Sequence, residues 1–188
     1  MSDTGPIGLL VLGLGNPLFA DDGAGVLAVS RLRERYRAPH DVEVLDGGTL
    51  GLALLSYVQR ARRAILVDAV RTGDVPGTLV RLRGDDVTRA TAYKLSPHQV
   101  GVADLLDGAT FLGAGPRGAA DLVLLGIVPD RLELAFGLSP TVEAELDGLV
   151  RTVVDEAANM GFHFERGTSD APGTDRGGDP DVARILGV

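Results

Sequence analysis

Apolar positions along this chain follow two rhythms. In the first, the run is continuous. Residues 7–13, "IGLLVLG", are apolar without a break and end at a glycine turn, the pattern of a strand buried on both faces. "RAILVDAV" (63–70) and "DLVLLGIVP" (121–129) read the same way, and "VEVLDGG" (42–48) is a shorter strand. In the second rhythm, apolar residues recur every three or four positions. Residues 23–37, opening "GAGVLAVSRLRERY", place Val26, Val29, Leu32 and Arg33 or Tyr36 at helical spacing, with Arg and Glu opposite. "LGLALLSYVQRA" (50–61) is a second helix and "QVGVADLLDGATFLG" (99–113) a third. The longest covers 139–162. It opens on Ser-Pro, with Ser139 as N-cap, and carries Val142, Leu146, Leu149 and Val153 on one face.

Two segments alternate instead. "TLVRLRG" (78–84), after the turn "RTGDVPG", is expected as a half-exposed antiparallel neighbour of the buried strands, and "LELAFG" (132–137) as a further strand. Residues 85–98 are polar and irregular. Strands alternating with helices predict an α/β sandwich on a mostly parallel sheet. No internal repeat is visible. The pattern predicts one α/β domain over 1–163. Residues 164–188, rich in Gly, Asp and Pro, are expected as a flexible tail with one turn at "DVARIL".

Composition narrows the chemistry. With 188 residues there is room for one full core. Aromatics are only 4%, so that core must be aliphatic. A formal net charge of −8 argues against a nucleic-acid or anionic-membrane partner. The chain has no cysteine, which excludes disulfides, zinc-thiolate sites and cysteine nucleophiles. Its start has no basic n-region and reads as a first strand, not a signal peptide. No apolar run reaches bilayer-spanning length. A cytoplasmic protein is the expectation.

The stretch 13–25, "GLGNPLFADDGAG", sets the chemical question. A glycine turn after a buried strand suggests phosphate binding. Yet Gly13 and Gly15 fit only the first two positions of a dinucleotide fingerprint, and the third falls on Leu18. A P-loop would need Gly-Lys-Ser/Thr, and Lys94 is the sole lysine. Asp21 and Asp22 would repel an anion. One aspartate can serve as a helix N-cap, the reading given to Asp21. The second then needs another account.

Asp68 ends the strand "AILVD", and ligands in open α/β sheets sit at the carboxyl ends of strands. Asp22 lies just past the carboxyl end of the first strand. If the two strands run parallel, both carboxylates share one edge. His98, in "KLSPHQVG", can return to that edge across the long irregular segment. Two carboxylates and an imidazole form an O,O,N set suited to nickel, zinc, cobalt or manganese with open positions. Each residue also has a plain structural role available, as a cap or strand end. His40 sits in a loop, His163 in "GFHFE" closes the last helix, and Glu133 is read as a charge on an edge strand.

Taken together, "GLGNPLFADDGAG", "AILVDAV", "LSPHQVG" and "GIVPDRLELAFGLSP" resemble the hydrogenase maturation endopeptidases, over about residues 7–160. These proteases trim the C-terminal extension of the large subunit of nickel–iron hydrogenases. The resemblance implies a three-layer α/β/α sandwich with a twisted, mostly parallel (mixed) sheet, of the phosphorylase/hydrolase-like kind. It implies a metal-binding triad falling on Asp22, Asp68 and His98, with Gly13, Gly15, Asn16, Gly23 and Gly25 forming the tight turn. Relatives often carry Glu at the first triad position. Asp22 is one methylene shorter, so the backbone approaches more closely or a water bridges. Nickel would arrive on the hydrogenase large-subunit precursor, with other divalent cations able to substitute in crystals. Asp22 or Asp68 would act as a base toward water. No G-x-S-x-G elbow is present, and nothing marks Ser96 as a nucleophile.

Two other readings stand beside this one. "GLGNPL" is similar to the opening of peptidyl-tRNA hydrolases, but the His-Asn pair expected there is replaced by "ADDGAG", and the acidic balance suits tRNA poorly. The same three ligands would also serve a nickel carrier that docks the hydrogenase precursor without cutting it.

Overall fold

β1 (Ile7–Leu14) is apolar throughout because it is covered on both faces. Leu9 and Val11 face one core, while Leu10, Leu12 and Leu14 face another. The computed structural model describes residues 5–84, 86–87, 113, 115–116 and 121–167. His98 lies outside them, as do all but the last residue of the helix expected over 99–113 and the chain beyond 167.

From β1 the chain passes through a 3-10 turn (Ala20–Gly23) into α1 (Ala24–Arg35), then β2 (Tyr36–Arg37) and β3 (Val42–Gly48). A second 3-10 turn (Gly51–Leu54) leads into α2 (Leu55–Arg60) and β4 (Ala61–Ala69). β5 (Leu79–Arg83), β6 (Leu122–Ile127), α3 (Pro140–Asn159) and β7 (Glu165–Arg166) follow among the described residues. The five-stranded sheet has the order β3-β1-β4-β6-β5. β3, β1, β4 and β6 are parallel, and β5 pairs antiparallel with β6, as its alternating pattern predicts.

α1 and α3 cover one face. Val29 and Leu32 of α1 and Val142, Leu146, Leu149 and Val153 of α3 pack there on Ile65, Val67 and Leu125. α2 covers the other through Tyr57 and Val58, against Leu12, Leu66 and Leu124. The result is the expected α/β/α sandwich. Each buried Leu or Val side chain contributes roughly 1.5–3 kcal/mol, so the aliphatic side chains of the three central strands do most to hold the layers together. Ser139 caps α3 as expected, its hydroxyl accepting from the Val142 N–H.

Three expectations change. Residues 132–137 form no strand; only Ala135 makes an isolated bridge, with Phe19, and the alternating Leu132, Leu134 and Phe136 are exposed. Glu133 is therefore not an edge-strand charge, and it pairs with Arg131 at 3.6 Å. The second helix is shorter than 50–61, because its first turn is 3-10. Glu165 and Arg166, inside the segment expected as tail, pair with β2.

Charged groups fasten the Pro140–Asn159 helix to β5 and to α1. Glu156 on α3 is buried and is held by Arg81 and Arg83 of β5. Arg31 of α1 bonds Glu143 and Asp147 of α3, each at 2.8 Å, and Arg35 reaches Asp147 at 2.9 Å. Arg35 first, then Arg31, holds the Asp147 carboxyl below its ordinary range. Glu143 first, then Asp147, raises Arg31 above its own.

Candidate functional site at the carboxyl edge of the sheet

The chain leaves β1 through α1 to β3 on one side, and later leaves β3 through α2 to β4 on the other side of β1. Crossovers that run in opposite directions put α1 and α2 on opposite faces and leave a crevice between the carboxyl ends of β1 and β4. Asp22 follows β1, and Asp68 is the penultimate residue of β4, in register with Gly126 of β6. Both belong to that crevice and both are nearly closed to solvent, at 4% and 1% exposed.

Gly15 brings them together. Its φ of +116° is open to glycine and strained for other residues. A Cβ placed on it would lie 1.8 Å from the Asp22 carbonyl oxygen and 3.7 Å from Asp68 Oδ1. The Asp22 main chain and the Asp68 carboxylate thus sit within 4 Å of one point. The turn is fastened locally. The Asn16 N–H donates to Asp22 Oδ2 at 2.8 Å, and Asn16 Oδ1 accepts from the Leu18 N–H at 3.0 Å. Asp68 Oδ1 accepts from the next amide, Ala69 N–H, at 2.7 Å. The other motif glycines make room. A Cβ on Gly25 would be 2.1 Å from the Val67 carbonyl, on Gly13 2.4 Å from a Val29 methyl, and on Gly23 2.6 Å from Pro17 Cα. The first turn of α1 consequently rests directly on the strand ends.

Asp21 is not the cap of α1 that the sequence suggests. The N-cap is Gly23, with no side-chain cap. The fully buried Asp21 carboxylate instead reaches across the fold. Oδ2 accepts from the Asp130 and Arg131 N–H groups, each at 2.9 Å, and from the Ser139 hydroxyl at 2.9 Å, while Oδ1 accepts from the Ser139 N–H at 2.6 Å. It binds the segment after β6 and the α3 cap to the first turn. Hydrogen bonds to a charged acceptor are each worth about 1.5–3 kcal/mol. Ala20 beside it has φ +47°, a left-handed conformation costing on the order of 1–3 kcal/mol in a non-glycine residue. Its N–H donates to the Ala135 carbonyl at 2.9 Å, which helps hold that conformation.

A third carboxylate, Asp46, stands at this edge. Asp46 ends the apolar part of β3 as Asp68 ends that of β4, and it pairs in register with Gly13. Its Oδ1 accepts from the Gly48 N–H at 2.9 Å. The signal was an aspartate closing an apolar strand, the same one that marks Asp68. Among the described residues no three His, Asp or Glu groups come close enough to hold one ion. Asp22 and Asp68 supply two oxygen donors. Carboxylate oxygens of this kind are hard donors, and a borderline divalent ion would call for an added nitrogen donor. His40 and His163 stand away from this edge, in the loop before β3 and after α3.

A model of the hydrogenase maturation protease family matches residues 26–156, a span containing Asp68 and His98. The chain is 42% identical over 147 residues to the hydrogenase 2 maturation protease of Escherichia coli, covering 78% of this chain and 88% of that one. It is 44% identical over 155 residues to the hydrogenase expression/formation protein HoxM of Azotobacter vinelandii, covering 81% and 73%. The solved structure of the hydrogenase maturating endopeptidase HybD from E. coli superposes with a TM-score of 0.80 at 38% identity, over 88% of this chain and all of that one. The chain belongs to the hydrogenase maturation protease family and is a peptidase. No helix among the described residues is long and apolar enough to cross a membrane.

Proposed function

We propose that this peptidase removes the C-terminal extension from the large-subunit precursor of a [NiFe] hydrogenase, and that nickel already seated in the precursor is what it recognises. The observation that supports the reading is the placement of the Asp22 main chain and the Asp68 carboxylate around Gly15 at the switch point of the sheet. Asp22 and Asp68 would offer oxygen donors to the substrate's nickel and His98 a nitrogen donor, completing positions the precursor leaves open. His98 enters from its motif alone. The nickel is part of the substrate, and its capture by the three side chains holds the adjoining peptide against the edge, supplying orientation.

Hydrolysis then needs a water and a base. Asp22 or Asp68 takes the water's proton as its oxygen adds to the scissile carbonyl, and the amide nitrogen leaves with a proton. The products are a new C-terminal carboxylate and a free peptide amine. The family places the chain among peptidases, which removes the grounds for a non-cutting carrier and for a peptidyl-tRNA hydrolase.

The test is single-turnover processing of nickel-loaded precursor, followed as a mobility shift on a gel. Asp22→Asn, Asp68→Asn and His98→Ala should each slow cleavage by about 10²-fold or more. Nickel-free precursor should stay uncut. Wild-type rates in all three variants, or efficient cutting of the nickel-free precursor, would overturn the proposal.

A further inference from the structure

The large apolar side chains that the fold leaves exposed are not scattered. Among the described residues they are Leu18, Leu52, Val75, Leu132, Leu134 and Phe136. Leu18 follows the carboxyl end of β1, Leu52 that of β3, Val75 that of β4, and the last three that of β6. Because β5 runs antiparallel, the loop carrying Val75 stays at that end of the sheet. All six therefore rim the edge that holds Asp22 and Asp68. Single exposed apolar residues need no explanation, but a cluster on one edge does.

The segment Asp130–Gly137 carries the two most exposed of these side chains, Leu134 at 76% and Phe136 at 86%. It is not a loose loop. The Ala135 N–H donates to the Leu18 carbonyl at 3.0 Å, the Ala20 N–H donates to the Ala135 carbonyl at 2.9 Å, and Asp21 grips the Asp130 and Arg131 amides. The residue next to Asp21 is Asp22. The fold thus spends a buried carboxylate and a strained Ala20 on holding an apolar strip at a set distance from the candidate site. Arg131 and Glu133 pair with each other, so within Leu132–Phe136 the Glu133 charge is matched and the exposed side chains are largely hydrocarbon.

We infer that this strip, Leu132, Leu134 and Phe136 together with Leu18, is the surface on which the protein substrate docks, through apolar residues flanking its scissile bond. The inference rests on the proposed function for the identity of that substrate. Its continuity with the Asp21–Asp22 turn chooses the occupant: a peptidase must bring a polypeptide to its site, and the Asp21 carboxylate holds the strip beside Asp22. Asp21 is accordingly a positioning residue, acting through the strip and not on substrate.

The experiment measures KM and kcat for nickel-loaded precursor with Leu134→Ser, Phe136→Ser and the double variant. Arg62→Ser, at the opposite end of β4, serves as control. Both positions are exposed, so folding should survive, and a thermal melt checks it. KM should rise on the order of tenfold for each single change, with kcat nearly constant and the control unchanged. A photo-crosslinker at position 136 should attach to the precursor. Unchanged KM in the double variant overturns the inference. So does sedimentation showing that the changes only split a dimer while KM stays put. If wild-type enzyme leaves the nickel-loaded precursor intact, the functional proposal is what fails. Crosslinking to the precursor then decides the docking surface alone, with its absence counting against it.

Discussion

Leu66 and Asp68 stand two residues apart on β4 and, by strand alternation, on the same face of the sheet. Leu66 pairs with Leu12 on one side and Leu124 on the other, and many side chains of similar size would fill its place. Asp68 sits at the strand end beside a turn whose geometry admits one residue type at Gly15. The sheet interior is redundant: each apolar residue adds to a sum, and the sum decides stability. The carboxyl edge is not. Its glycines, aspartates and strained Ala20 each satisfy a condition that no neighbour can meet for them. The difference teaches where damage should be graded and where it should be all-or-none.

The sharpest way to break this contrast is Gly15→Ala. The new Cβ would meet the Asp22 carbonyl, a main-chain atom, and the residue would keep a strained φ. We expect about 4 kcal/mol or more of destabilisation and loss of precursor cleavage, read by urea melts and the gel assay. Leu66→Ala should cost about 3 kcal/mol in the same melts, with cleavage per folded molecule unchanged, whereas Leu66→Met should cost less than about 1.5 kcal/mol. If Leu66→Ala abolished cleavage in folded protein, the division between interior and edge would be wrong.

Asp21→Asn tests the edge from its structural side. It turns one acceptor oxygen into a donor against buried N–H groups, and should cost about 2 kcal/mol. Its effect on cleavage should appear as a raised KM more than a lowered kcat, unlike Asp22→Asn. Two adjacent aspartates with the same kinetic phenotype would argue against separate roles.

The smallest effect belongs to the solvent-facing bridge between α1 and α3. Asp147 has its folded-state pKa depressed by Arg35 and Arg31, so its contribution to stability is present above the unfolded value of 3.8 and is lost as pH falls through the folded value. Asp147→Asn should therefore lower the melting temperature slightly at pH 7, less in high salt, and not at all at the acid end of that window. A large effect at pH 7 would mean that the bridge does more than an exposed ion pair can.

Much of the fold was legible because burial writes itself locally. Runs such as "GLLVLG" and "AILV" are apolar at every position, and only a strand between two helix layers needs that. The places of Asp68 and Asp22 in the fold were legible for a related reason: Asp68 stands where a buried run stops, and Asp22 lies in the turn that follows one. Asp46 carries the same mark, an aspartate closing the apolar part of a strand. Residues 132–137 misled because period-two alternation reports that one side of a segment is apolar and does not report whether anything covers it. Asp21 was misread because a cap is the commonest use for an aspartate before a helix, whereas its partners lie at 130, 131 and 139.

The amino-acid order by itself determined the layers, the five strands of the main sheet, the α3 cap at Ser139 and the turn that only glycines permit. These follow from side-chain size, hydropathy and backbone freedom, properties each short stretch carries with it. Tertiary structure alone decided which groups a buried carboxylate meets, which apolar stripe stays uncovered, and that the ends of β1 and β4 open on one crevice. Those outcomes depend on distances between segments far apart in the chain, and a hydrogen bond or a contact exists only once the whole fold has set those distances.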